Sequence, residues 1–300
     1  MSMSSINLSR REAALTGRVI DFLELTKPRI SILVLVSVAV AAFTASWGQP
    51  DPWLLLHAVV GTFLVSASGS AWNQWLEREL DSRMQRTANR PLPAGRITPT
   101  EAAVFGSVTL LLGIIYLYAT TGGTTAGLAL VTWVLYTGCY TPLKVRSWCN
   151  TPVGAVAGAM PVLIGWTAVG GTLDVRAAAL FAVVFLWQFP HFMAIAWLYR
   201  DQYAEAGYQM LTVVDPSGRR AGVQAVLGAL ALLPASFVPA LHVPSPSIYI
   251  VTALMLGIYQ LLCALMFLGR IDDRSAKRLL RVSLIYLPSL LLLMVLMPGY

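Results

Sequence analysis

Long apolar runs alternate with short polar connections along the whole chain. Nine runs stand out, near Ile30–Trp47, Trp53–Trp72, Ala102–Tyr118, Thr125–Tyr140, Thr151–Val169, Ala177–Trp197, Ala221–Leu241, Ile248–Leu268 and Leu279–Met297. A helix of about 20 residues spans the hydrocarbon core of a bilayer, so the pattern predicts nine transmembrane helices. Every second connection is short and rich in Gly or Pro: Gly48-Gln-Pro-Asp-Pro52, Thr120-Thr-Gly-Gly-Thr124, Gly170-Gly-Thr172 and Val243-Pro-Ser-Pro-Ser247. These read as tight turns. The connections after the second and sixth runs are longer, as binding loops and lids are.

Charge fixes the orientation. Of the 21 Lys and Arg residues, only Arg176 falls on the far side from the N-terminus. The positive-inside rule makes the crowded side the cytosol. The N-terminus is then cytosolic and the C-terminus lies on the opposite side. Losing or merging one helix would scramble this split, which supports the count of nine. The expected fold is therefore an all-α, polytopic membrane protein, with nine helices around a central cavity open to the cytosolic face. Residues 1–26 form a cytosolic N-terminal segment, and residues 27–300 form a single transmembrane domain.

Composition agrees. The chain is 57% hydrophobic and only 12% charged, which excludes a soluble domain. The net charge of +7 is dispersed between the apolar runs, so no nucleic-acid partner is expected. Cys139, Cys149 and Cys263 have no zinc-site spacing and read as small core residues. Arg10-Arg11 has no apolar region directly after it, and Glu12, Asp21 and Glu24 argue against an acid-poor transit peptide. Gly154 and Gly158 form a small-residue seam. Asn150 or Thr151 is the expected cap of the fifth helix. Pro161 and Pro190 lie inside predicted helices.

The chemistry gathers after the second run, in Asn73 to Pro93. Asn73, Glu77 and Asp81 recur at intervals of four. On a helix such residues differ by about 40° in direction and about 6 Å in height. They form one slanted row of oxygen donors, followed by Arg83, Arg86 and Arg90. Two carboxylates and an amide beside guanidinium groups suit a hard divalent cation with an anionic phosphate. A solvated helix end is the rival reading for any single carboxylate pair. The sixth helix ends in a second cluster, in which Asp201 and Glu205 can share one face. Trp197-Leu-Tyr-Arg200 echoes Trp75-Leu-Glu-Arg78, a short hint of an internal repeat. The two parallel helices bring both acidic clusters to the same face, where they would grip a diphosphate between cations. His191 lies deeper in the membrane than Asp201; a buried His is more often a satisfied core residue than a ligand, and a place inside a membrane helix moves the reading toward function. Aromatics crowd this end, among them Trp72, Trp75, Tyr140, Trp187, Phe189, Phe192, Trp197, Tyr199 and Tyr203. Beyond an interfacial belt, they offer π-faces to a cation formed in a dry pocket.

Several segments occur in order: Leu25-Thr-Lys-Pro-Arg29, Asn73…Glu77…Asp81…Arg86-Thr…Arg90-Pro-Leu92, Tyr140-Thr-Pro-Leu-Lys144, Trp187-Gln-Phe-Pro-His-Phe192, Ala206-Gly207 and Met210-Leu211. Over about Phe22 to Leu296 the chain closely resembles the haem branch of the intramembrane prenyltransferase superfamily, the protohaem IX farnesyltransferase family. One position departs. Where the family has an Asp directly before the Tyr of its second motif, Gln202 stands here, with Asp201 one residue earlier. A helix turns about 100° per residue, so Asp201 faces elsewhere unless it takes an adjacent role.

The resemblance implies transfer of the farnesyl group of farnesyl diphosphate to a vinyl group of haem b, with addition of water, giving haem O and diphosphate. It implies Mg²⁺ as cofactor, held by Asn73, Glu77, Asp81, Asp201 and Glu205, with the first four of these catalytic. It implies diphosphate contacts from Lys27, Arg29, Arg83, Arg86, Arg90, Lys144 and Arg200. Haem contacts fall to His191, as axial ligand, with Trp187 and Tyr203. The expected setting is the cell inner membrane, with the bilayer as partner and a haem-modifying enzyme or a terminal oxidase assembly factor docking at the cytosolic face. Two other readings stand beside it. One is a prenyltransferase for an aromatic or quinone precursor. The other is a transporter, although transport sites sit near the midplane and the charges here cluster at one face.

Overall fold

The computed structural model describes residues 16–239 and 246–297, and all regular elements among them are helices. A first helix, α1, covers described residues 16–25. It is followed by α2 (Pro28–Ala45), α3 (Pro52–Asp81) and α4 (Pro99–Thr121). Helix α5 (Gly123–Leu143) is π-helical over Val134–Tyr140. Then come α6 (Asn150–Ala168), α7 (Val175–Leu198), the short α8 (Arg200–Ala206) and α9 (Leu211–Val214), α10 (Arg219–Ala235), α11 (Pro246–Arg270) and α12 (Asp273–Leu296). Eight helices among the described residues, α2 to α7, α11 and α12, are long and apolar enough to cross a membrane.

The expected span Ala221–Leu241 is represented by α10, which has 17 residues. Residues 240–245, which hold the end of that span and most of the expected Val243–Ser247 turn, lie outside the described residues, as do Arg10, Arg11 and Glu12. Helix α10 still runs along the bundle. Gly218, just before it, lies against Trp197 at the end of α7 and Ile271 after α11. The Ser236 hydroxyl just after it meets the Tyr286 hydroxyl at 2.6 Å.

Local chemistry starts these helices where the sequence placed them. Pro28, Pro52 and Pro99 occupy first turns, where a missing N–H costs nothing. Asp51 and Asp174 cap α3 and α7. Capping boxes Thr98–Glu101 and Asp272–Ser275 open α4 and α12. Asn150 does not cap α6. It is fully buried, and its amide donates to Ser147 O at 2.7 Å and Gln209 O at 3.2 Å, tying down the connection that follows α7.

Helices α2, α6, α7, α10, α11 and α12 share a core that includes Val40, Trp166, Leu180, Leu232, Tyr249 and Tyr286. Lipid tails are as apolar as these side chains, so close packing holds the helices together. The tightest approach is Gly165, where an added Cβ would fall 2.1 Å from Val38 O of α2. Gly154 and Gly158 serve a different purpose from the seam expected of them: they make room for the Tyr140 ring and the Gln188 amide. Pro161 and Pro190 do lie inside α6 and α7. Of the cysteines only Cys263 is buried; Cys139 is exposed.

Contacts between connections define one basic face. The α1–α2 junction meets α3 through Gln74 Nε2 donating to Leu25 O at 2.8 Å. The chain after α7 meets the chain after α5 through Gln209 N donating to Lys144 O at 2.6 Å. Arg200 reaches Asp273 at the start of α12 at 3.0 Å. Arg176 sits apart, paired with Asp174 at 2.9 Å and stacked on Trp47 and Trp166.

Gly165→Ala is expected to destabilise the chain by about 1–3 kcal/mol through overpacking against the α2 backbone. Gly127, with open space beside it, should accept Ala without loss. Thermal midpoints of the two variants in detergent check this.

Candidate active site at the basic face

The row on α3 faces inward. Asn73, Glu77 and Asp81 are 0, 4 and 2% exposed. Each is met by a cation from a different connection. Lys27 Nζ donates to Asn73 Oδ1. Lys144 Nζ donates to Glu77 Oε1 at 2.7 Å. Arg90 Nη1 donates to Asp81 Oδ2 at 2.6 Å. Asn73 also donates from Nδ2 to Thr141 Oγ1 at 2.9 Å.

The backbone is shaped to deliver these cations. Lys27 takes a left-handed conformation, φ 51°, between Thr26 and Pro28. A non-glycine residue held there carries strain of about 1–3 kcal/mol. The strained turn sends Nζ to α3. The π-helical stretch of α5 brings Thr141 to Asn73 and Lys144 to Glu77, as such insertions do at functional sites. The segment after α3 folds back on itself, Thr87 Oγ1 donating to Asp81 O at 2.8 Å, so that Arg90 returns to Asp81. Arg96 then anchors this segment to Asp21 and Glu24 of α1.

Burial, with the charge of Arg90 beside it, pushes the Lys27 ammonium down to about 7, against the pull of Glu77 and Asp81. Burial would depress Lys144 too, but the Glu77 carboxylate outweighs it and holds that ammonium well above the usual lysine range. Lys144 also lies over the Tyr140 ring at 4.6 Å.

The second acidic cluster does not join the row. The Asp201 side chain is 83% exposed, and among the described residues its one ion pair is with Arg200 at 3.9 Å. Glu205 is exposed as well. The expected pairing of the two clusters is thus corrected. Helix α8 presents its other face, where Gln202 Oε1 accepts from Arg86 N at 3.4 Å and Tyr203 Oη from Arg86 Nη2 at 3.3 Å. The one-residue offset at Gln202 turns Asp201 to solvent. No group of three or more His, Cys, Asp or Glu side chains among the described residues is placed to hold a metal. The donor set that remains is Asn73, Glu77 and Asp81, all oxygen, which suits Mg²⁺.

Of the seven expected diphosphate contacts, Lys27, Lys144 and Arg90 converge on the row. Arg86 lies over the Tyr199 ring at 4.7 Å. Arg200 is engaged by Asp273 and stacks on Trp197 at 4.3 Å. Arg29 and Arg83 are exposed. Of the haem set, His191 stacks on Trp187 at 4.7 Å, in α7. Tyr203 belongs to the Arg86 contacts and packs edge-on to Tyr208 at 5.7 Å. Thr141 and Ser283, which bonds His191 at 2.9 Å, escaped the sequence reading. Thr141 sat within a quoted motif, but Ser283 is one of several hydroxyls in an apolar run.

The model of the UbiA prenyltransferase family matches residues 34–287. The chain belongs to that family. Among its UbiA relatives, the protoheme IX farnesyltransferase of Solibacter usitatus is 42% identical, over 93% of this chain and 99% of its own length. That of Rhodopirellula baltica is 43% identical, over 91% and 98%. The human mitochondrial protoheme IX farnesyltransferase is 40% identical, over 90% of this chain and 60% of its own. In fold, a digeranylgeranylglyceryl phosphate synthase superposes with a TM-score of 0.77 at 16% identity, covering 94% of this chain and 98% of its own. A UbiA homologue from Archaeoglobus fulgidus, bound to DMAPP and Mg²⁺, superposes with a TM-score of 0.65 at 13% identity, over 92% and 99%. These two likenesses establish the UbiA fold of a multi-pass membrane protein.

Lys144→Met should destabilise the chain by about 3–5 kcal/mol, because it leaves Glu77 buried and unpaired. Adding Glu77→Gln should recover much of that loss. Unfolding in mixed detergent micelles reads both.

Proposed function

We propose that this UbiA-family chain is a Mg²⁺-dependent enzyme that transfers the farnesyl group of farnesyl diphosphate to a vinyl group of haem b, giving haem O. The observation that carries the reading is the convergence of Lys27, Lys144 and Arg90 on the buried Asn73–Glu77–Asp81 row. The names of its relatives select the substrate pair. A bound Mg²⁺ on the row supplies charge neutralisation to the diphosphate.

The chain's own residues do the rest. Asn73, Glu77 and Asp81 would hold the metal through their oxygens, which would leave Lys27, Lys144 and Arg90 to donate to the diphosphate oxygens. Negative charge building on the leaving group is thereby stabilised. The C1–O bond breaks and its electron pair stays with diphosphate. The haem vinyl π pair forms the new C–C bond to C1. Positive charge moves to the vinyl carbon next to the macrocycle, water adds there, and one proton leaves. Tyr140 and its stacked neighbour Tyr136, 5.7 Å between centroids, lie beside Lys144 and offer π-faces to the allylic cation. His191 would ligate the haem iron, with Trp187 against its ring.

In this reading the basic face is cytosolic and the membrane is the cell inner membrane. Helix α10 completes a ninth crossing, residues 27–300 act as one domain, and a haem-modifying enzyme or oxidase assembly factor takes the product at that face. Asp201, Glu205 and Arg200, turned to solvent or to α12, stay outside the reacting set.

Asp81→Ala and Glu77→Ala should each lower turnover by about 10²-fold or more while the chain still inserts in the membrane. Pigment extraction for haem O and assay of released pyrophosphate measure this; haem O at the wild-type rate in either variant rejects the assigned roles. A second expectation concerns pH. Lys27 is protonated below about 7 and neutral above, so the KM for farnesyl diphosphate should rise as pH increases through that value. Lys27→Arg, charged throughout, should flatten the rise.

A further inference from the structure

Two hydrogen bonds join α7 to α12 at Ser283, one from His191 and one from Trp187. His191 Nδ1 lies 2.9 Å from Ser283 Oγ. A serine hydroxyl carries a single proton, and that of Ser283 is donated to Leu280 O at 2.7 Å. With the hydroxyl turned to Leu280 O, Ser283 Oγ is left to accept from His191 Nδ1–H. That arrangement puts the proton on Nδ1 and the lone pair on Nε2. No described residue hydrogen-bonds Nε2. The main-chain oxygen of the same serine accepts the indole N–H of Trp187 at 2.6 Å, and the Trp187 ring stacks on His191. One residue of α12 thus holds both the imidazole and the ring beside it.

We infer that Ser283 is a positioning residue for the haem substrate, fixing His191 with Nε2 free to ligate iron. The inference rests on the haem-ligand role proposed for His191. An acceptor on the far nitrogen orients a ligating imidazole and raises its basicity. A neutral hydroxyl does this without drawing the proton away as a carboxylate does, which suits a substrate that has to leave as product.

The test uses the full chain in detergent, titrated with ferrous haem b and read by resonance Raman at the Fe–His stretch and by haem affinity. Ser283→Ala keeps the main-chain bond to Trp187, so the packing of α7 on α12 persists. It should lower the Fe–His frequency and weaken haem binding by about 10–100-fold. Ser283→Thr, which restores a hydroxyl, should recover both. Should Ser283→Ala not fold, Ser283→Cys reads the same point, because a thiol is a poorer acceptor and must lower the frequency part-way. An unchanged frequency in Ala or Cys, with His191 still ligated, overturns the role of Ser283 alone. A wild-type complex with no Fe–His band, or a band that survives His191→Gly, overturns the haem-ligand reading beneath it.

Discussion

A buried carboxylate must have a partner, and this molecule buries two on one helix with an amide beside them. Leaving water costs several kcal/mol per ion even after relaxation. The row on α3 is therefore tolerable only where cations are brought to it. Those cations come from three places far apart in sequence: the α1–α2 junction, the segment after α3 and the end of α5. Much of the basic face can be understood as the backbone needed to deliver them. The left-handed Lys27, the π-helical stretch of α5 and the fold-back that returns Arg90 are each unfavourable or irregular alone. Each ends in a contact with the row.

The same pairing prepares the proposed chemistry. A metal on the row would compete for the oxygens that the cations hold, and a diphosphate would compete for the cations. With both present, every ion would exchange one partner for another and none would be stranded. The groups that stabilise the leaving diphosphate would then be in place before the bond breaks, which is where electrostatic catalysis gains most. Metal alone gains less, since it would displace Lys144 from Glu77 and leave an ammonium buried without a counter-charge.

Eight of the nine expected spans were legible among the described residues because apolar length carries them; even the lone exception to the split of basic residues, Arg176, lies apart from the basic face. The row was legible because a period of four on a helix is geometry. What surrounds the row was not. A π-helical stretch has no signature in Val134–Tyr140, and the left-handed turn at Lys27 hides in a Lys-Pro dipeptide that restricts the backbone without naming its conformation. The role of Asn150 was misplaced because a capping residue and a loop tether look alike in sequence. Ser283 was invisible because a hydroxyl in an apolar run most often bonds back to its own helix, and here it does that as well.

The echo between the ends of α3 and α7 proves to be structural. Arg78 lies over Trp75 at 4.8 Å and donates to its carbonyl at 2.8 Å; Arg200 lies over Trp197 at 4.3 Å and donates to that carbonyl at 2.8 Å. Within and beyond this shared turn the two ends diverge. Helix α3 has Glu77 and Asp81 turned inward, whereas α8 turns Asp201 and Glu205 out and offers Gln202 and Tyr203 to Arg86. The groups that α8 turns to Arg86 are thus a neutral amide and a phenol. Only one set of fixed anionic donors faces the reacting space among the described residues. A Mg²⁺ held there would have few protein ligands and would draw others from substrate phosphates and water. The diphosphate would then be part of the metal site as much as its cargo, and affinity for either ligand should depend on the other.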